Sequence, residues 1–171
     1  MEVEGRRVGG VWIRHVPHGA DLLGRAMPPA DGRWQRGEIV GGLYLADGAE
    51  TATAEWYRAL AEQGFSPQDH VPHDHHRWRI DLELANLASE ERLAAVGLVP
   101  PRPDRRTWRA YQDVGERLRE EGWAGVIAPS AARPRSAIVC LFAEDWPPKG
   151  CVPIDAVTVA VVPPRPRGMA S

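Results

Sequence analysis

Asp31-Gly-Arg-Trp-Gln-Arg-Gly-Glu-Ile-Val-Gly-Gly-Leu-Tyr-Leu-Ala-Asp47, followed by Glu50-Thr-Ala-Thr-Ala-Glu-Trp-Tyr57, decides how the rest of the chain is read. Asp31-Gly32 and Gly41-Gly42 bracket a short loop, because glycine accepts backbone angles that other residues resist. Leu43 to Ala46 reads as a brief, largely buried strand. Asp47 and Thr51 are candidate N-caps for a helix over roughly 50–63, with Gly64 as its stop. The unit is loop, strand, tight turn, helix. It gathers Arg33, Trp34, Tyr44 and Glu55: a cation, two flat rings and a carboxylate. Such groups can hold a phosphorylated nucleoside and act on its sugar. Each also has a plainer reading: Arg33 as a surface charge, Trp34 as core, Tyr44 as a buried ring with a satisfied hydroxyl. Glu55 could likewise form a solvated helical pair with Arg58.

The chain has 171 residues, 43% of them hydrophobic and 26% charged, which fits one soluble globular domain over 1–171. Residues 1–10 and 163–171 are expected to be flexible ends. The formal net charge of −2 argues against a general nucleic-acid binder, which would be clearly basic. Met-Glu-Val-Glu-Gly-Arg-Arg has no apolar stretch of signal-peptide type, and no run is long and apolar enough to span a membrane. A cytoplasmic location is expected, with Cys140 and Cys151 reduced.

Outward from the central unit, Val11 to Arg14 reads as a short strand, with Arg14 at its end. His15 to Ala30 reads as loop, with His15 and His18 on the surface. His70-Val-Pro-His73-Asp-His75-His76 is rich in potential ligands but matches no standard zinc spacing, so it reads as a solvated loop and no metal is expected. Trp78 to Leu84 alternates as a half-buried strand. Ser89 to Gly97 reads as a capped short helix, and Asp104 opens a longer one closing at Gly122, with Trp108, Tyr111 and Leu118 toward the core. Strands follow at 123–128, 137–142 and 152–162, and Ser130 sits just past Pro129 at a strand end. The irregular mixture of short strands and helices predicts an α+β fold. No G-x-G-x-x-G follows a strand, so the usual dinucleotide fold is not indicated.

Four ordered pieces carry a family resemblance: Val11-Trp-Ile-Arg14, Gly32-Arg-Trp-Gln35, Gly42-Leu-Tyr-Leu-Ala-Asp47 with Ala54-Glu55, and Gly125-Val-Ile-Ala-Pro-Ser130. Together they resemble the RES domain, named for its arginine, glutamate and serine, over about residues 11–142. The resemblance implies a compact fold similar to ADP-ribosyltransferase toxins. It also implies a bacterial toxin held by an Xre-like antitoxin, with NAD as substrate rather than cofactor. Cleavage would fall between nicotinamide and ribose, with water or inorganic phosphate as acceptor. ADP-ribosyl transfer to a cellular protein and nucleotide or partner binding without catalysis are the alternatives. Carried onto this chain, it makes Glu55, Arg14 and Ser130 the catalytic set, with Arg33, Trp34 and Tyr44 binding substrate. Ser130 would hydrogen-bond the ribose or the nicotinamide amide. Gln35 departs from the asparagine the family often has there.

Overall fold

Six strands and three helices follow one another irregularly along residues 1–170, the part of the chain described by the computed structural model. They are β1 (Gly5–Pro17), β2 (Gly41–Ala46), α1 (Ala49–Gln63), β3 (His73–Asn86), α2 (Glu90–Ala95), α3 (Trp108–Glu120), β4 (Gly125–Pro129), β5 (Ala137–Ala143) and β6 (Cys151–Val159). This is the α+β arrangement expected, with the sheet closed into a small barrel. The strand order is β1-β2-β5-β4-β3, and β3 pairs back onto β1, while β6 adds to the other half of β3. Only β3 and β4 run parallel, through Ala85↔Val126 and Asn86↔Ile127. Parallel neighbours need a long crossover, and the segment carrying α2 and α3 provides it.

The alternation of side chains along a strand sorts the core into two layers. Leu43, Leu45, Ile127, Val139 and Leu141 point with Trp12, Trp78 and Ile80 into one cluster. Val126, Ala128, Ile138, Cys140 and Phe142, on the opposite faces of β4 and β5, pack with Trp34, Tyr111, Val114 and Leu118 into the other, with Tyr44 of β2 packed against it. The second layer is where α3 covers the sheet. Both cysteines are free.

Several expectations are corrected. Residues 5–10 are not a loose lead-in: they pair with β3 in an unbroken register from Gly5↔Ala85 to Pro17↔His73. Their glycines and arginines mask the strand period. The histidine-rich segment is not a solvated loop either, because His73, Asp74, His75 and His76 are buried in β3. Asp74 accepts hydrogen bonds from Gly19 N at 2.8 Å and Thr158 Oγ1 at 2.9 Å and meets His18 Nδ1 at 2.9 Å; these partners hold its carboxyl down at about 2, with the His18 bond the largest cause. His73 stacks on Trp56 with centroids 4.3 Å apart. Residues 163–170 do not trail free. Tyr57 Oη donates to Pro163 O, Arg133 Nε donates to Arg167 O, and Ala170 N donates to Ala132 O. Among the described residues no helix is long and apolar enough to cross a membrane.

Candidate active site

The strand–turn–helix unit forms as read from its residues. β2 leads through Gly48 into α1, which ends at Gly64 with a left-handed φ of 71°. Neither expected cap is used. Asp47 instead accepts from Ala137 N at 2.8 Å, and Thr51 is buried. β1 and β2 meet at one register pair, Ile13↔Ala46. A cavity of about 310 Å³ lies beside that meeting point, lined by Ile13, Arg14 and His15 of β1, Tyr44 to Ala46 of β2, Glu55 and Arg58 of α1, Arg33 of the preceding loop, and Trp108 of α3.

Glu55 stands on this cavity with its side chain only 13% exposed. Its Oε1 accepts from Ser130 Oγ at 2.6 Å and its Oε2 from Arg58 Nε at 2.7 Å. Burial alone would raise its pKa. The Arg58 charge and the Ser130 and Arg58 hydrogen bonds outweigh that and hold the carboxyl below its ordinary range. Arg58 also pairs with Glu62. Arg105 Nε in turn meets Glu62 at 3.3 Å, so Glu62 is shared between two guanidiniums and Glu55 is the carboxylate of this chain of ion pairs that faces the cavity. The helical pair read as a solvated alternative does form, but it is buried and belongs to the site.

Two further guanidiniums line the same cavity. Arg14 makes no hydrogen bond or ion pair among the described residues, and burial lowers its pKa. Arg33, 8% exposed, donates from Nη2 to Arg102 O at 2.6 Å and lies 5.1 Å from the Tyr111 ring centroid. Burial, then the Arg58 charge, lower its pKa. Burying a cation without a carboxylate partner costs several kcal/mol. Two such cations on one cavity could be compensated by an anion there.

Tyr44 lies on the wall with its hydroxyl fully engaged, accepting from Trp34 N at 2.9 Å and donating to Gln35 Oε1 at 2.9 Å. The hydroxyl therefore has no proton to spare for a ligand. Gln35 ties the loop further, donating Nε2 to Ala30 O at 2.9 Å and Val40 O at 3.2 Å. Gly32 and Gly115 are required by closeness. A Cβ on Gly32 would fall 2.1 Å from Tyr44 Oη, and one on Gly115 would fall 1.9 Å from Trp34 O.

Two expected roles change. Trp34 borders the cavity, but its indole is 1% exposed and packs edge-on against Tyr111 in the core, 5.1 Å between centroids, rather than flanking a ligand ring. Ser130 is fully buried, behind Glu55. Its one proton goes to Glu55, and its oxygen accepts from Ala132 N at 3.2 Å and Arg133 N at 3.0 Å. It orients the carboxylate and has no proton left for a ribose.

Three lining residues were missed. His15, read as a surface residue, faces the cavity, and burial pushes it down to about 4, so it is neutral at pH 7. Trp108, read as core, lines the cavity with a buried Nε1 that has no acceptor among the described residues. Arg58 was read only as a surface partner. His15 follows Arg14 within one strand, and the continuation of β1 past Arg14 is the signal that could have found it. No group of three or more His, Cys, Asp or Glu side chains among the described residues is arranged to hold a metal ion.

A small barrel whose cavity holds a recessed carboxylate, with a serine behind it, together with guanidiniums that have no carboxylate partner defines the class of site. The particular family follows from the sequence match: the chain belongs to the RES domain family, which it matches over residues 10–159. Among solved structures it is similar to the M. tuberculosis MbcT–MbcA toxin–antitoxin complex, with a TM-score of 0.75 and 20% identity over 91% of this chain and 87% of that one. That likeness shows the fold. No curated protein sequence matches.

Proposed function

We propose that this protein is an NAD-consuming toxin of a toxin–antitoxin pair, acting in the cytoplasm and breaking the bond between nicotinamide and ribose. The observation that carries the reading is Glu55: an ionised, recessed carboxylate oriented by Ser130 and Arg58 on a cavity that also holds unpaired Arg14 and Arg33. In the reaction the electron pair of the C1′–N bond passes to the pyridinium nitrogen, so nicotinamide leaves neutral. Positive charge then develops on the ribose, as in other oxocarbenium-like sugar chemistry. The Glu55 carboxylate, recessed on the cavity and held ionised, stabilises it. Water, or an oxygen of inorganic phosphate, forms the new bond to C1′; with water, one proton is released. Arg14 and Arg33 grip the pyrophosphate, for which guanidinium forks are suited, and the Tyr44 and Trp108 rings flank the departing base.

Family membership and the fold shared with a toxin of a toxin–antitoxin complex support the toxin reading and an antitoxin partner, taken here to be Xre-like. Kinship to ADP-ribosyltransferases is part of the same reading. The experiment is incubation of the purified protein with NAD, with and without inorganic phosphate, followed by product identification. Nicotinamide release supports the reading. ADP-ribose marks hydrolysis, and a phosphorylated ADP-ribose formed only with phosphate marks phosphorolysis. NAD left intact in both arms contradicts it.

A further inference from the structure

A second cavity, of about 200 Å³, adjoins the first and shares Arg14, Asp31, Gly42 and Tyr44 with it. Its far side is made by Arg25 and Trp146. The Arg25 guanidinium lies 5.6 Å from the Trp146 ring centroid and makes one long hydrogen bond, from Nη2 to Ala143 O at 3.3 Å. Among the described residues it has no carboxylate partner. Trp146 is half-buried and anchored, donating Nε1 to Leu23 O at 2.7 Å. An indole fixed by its N–H under a guanidinium that has no carboxylate partner makes a stacked pair against which a heteroaromatic base can lie next to a phosphate.

Size points the same way. The first cavity alone is near the lower end of small-molecule sites, roughly 300–1,000 Å³, and suits one nucleotide half. A dinucleotide needs a second space, and Arg14 is the guanidinium common to the linings of both cavities. We infer that the second cavity is a nucleoside-monophosphate subsite: it takes the half of a dinucleotide remote from the scissile bond, with its base against the stacked Arg25–Trp146 pair and the bridging phosphates between Arg14 and Arg25. Asp31 sits on the shared wall and opposes a phosphate there. Its Oδ1 accepts from Gly37 N at 2.8 Å, and its other oxygen suits a ribose hydroxyl. This inference rests on the dinucleotide substrate proposed above.

The probe is adenosine monophosphate, which carries that half alone, titrated calorimetrically into the full chain and its variants. Wild type binds it; Trp146→Leu and Arg25→Gln each weaken binding about tenfold or more; Glu55→Gln leaves it within about twofold, because Glu55 lies on the first cavity only. Gly41→Ala guards against misfolding, since its Cβ would meet Arg25, Pro29 and Ala143 at ordinary contact distances of 3.5–3.7 Å; it too weakens the nucleotide. Absence of binding, or affinity unmoved by Trp146→Leu and Arg25→Gln, overturns the inference. Nicotinamide release from NAD by the same preparations separates the two ideas. Release with unmoved affinities sinks the subsite alone, while the predicted affinity pattern without release upholds the subsite and sinks NAD cleavage.

Discussion

Removing the Ser130 hydroxyl tests whether that residue touches substrate or holds Glu55. In Ser130→Ala, Glu55 Oε1 loses a 2.6 Å donor, and Ala132 N and Arg133 N lose their shared acceptor. A hydrogen bond to a charged group is worth about 1.5–3 kcal/mol, and each buried group left unsatisfied costs about 1–3 kcal/mol. The losses overlap, so a net destabilisation of about 2–4 kcal/mol is expected, or about 5–15 °C in Tm for a chain of this size. The bond is also one of the causes holding the Glu55 pKa down. Without it the carboxyl protonates at higher pH, and the acid limb of the pH–rate profile moves upward. Loosened orientation lowers kcat about tenfold to a hundredfold, equivalent to about 1.4–2.8 kcal/mol of barrier, with KM for NAD little changed. The assay is nicotinamide release across pH, paired with thermal denaturation. An unshifted acid limb with a raised KM would refute the reasoning and return Ser130 to direct substrate contact.

Arg58→Ala strips Glu55 and Glu62 of their shared cation and costs about 3–5 kcal/mol of stability; it also raises the Glu55 pKa, since the Arg58 charge is the largest lowering cause. Urea denaturation reads the first effect and the pH–rate profile the second. Gly115→Ala drives a methyl into Trp34 O, costs about 3 kcal/mol and lowers activity by displacing the loop that carries Arg33; a normal Tm would contradict the packing. His15 and His75 are both pushed down to about 4 in the folded chain, first of all by burial. His73 and His76 are lowered too; unfolded imidazoles bind protons from about pH 6.5 downward, so this contribution to stability is full above that pH and falls toward pH 4. Denaturation midpoints measured over that window check the slope, and His75→Gln makes it shallower.

Sequence reading succeeded where one local rule governs one element. β2, α1 and its glycine stop follow from period and punctuation, and the Ser89 cap forms with its oxygen accepting from Arg92 N at 3.3 Å. Glu55, Arg14, Arg33 and Tyr44 do share a cavity. Reading failed where burial contradicts polarity. His73 to His76 look solvated, yet stacking on Trp56 and the bonds around Asp74 allow them to be buried in β3. Long-range partners are equally invisible along the chain. Nothing near Ser130 announces Glu55, 75 positions away, and nothing near Trp34 shows that Tyr111 will claim its indole.

The most direct measurement is the rate of nicotinamide release from NAD by wild type and by Glu55→Gln, each checked for a native circular dichroism spectrum. A folded Glu55→Gln that is slower by about a hundredfold to a thousandfold is the predicted result. A folded variant as fast as wild type, or a wild type that leaves NAD unchanged, would contradict the assignment of that carboxylate.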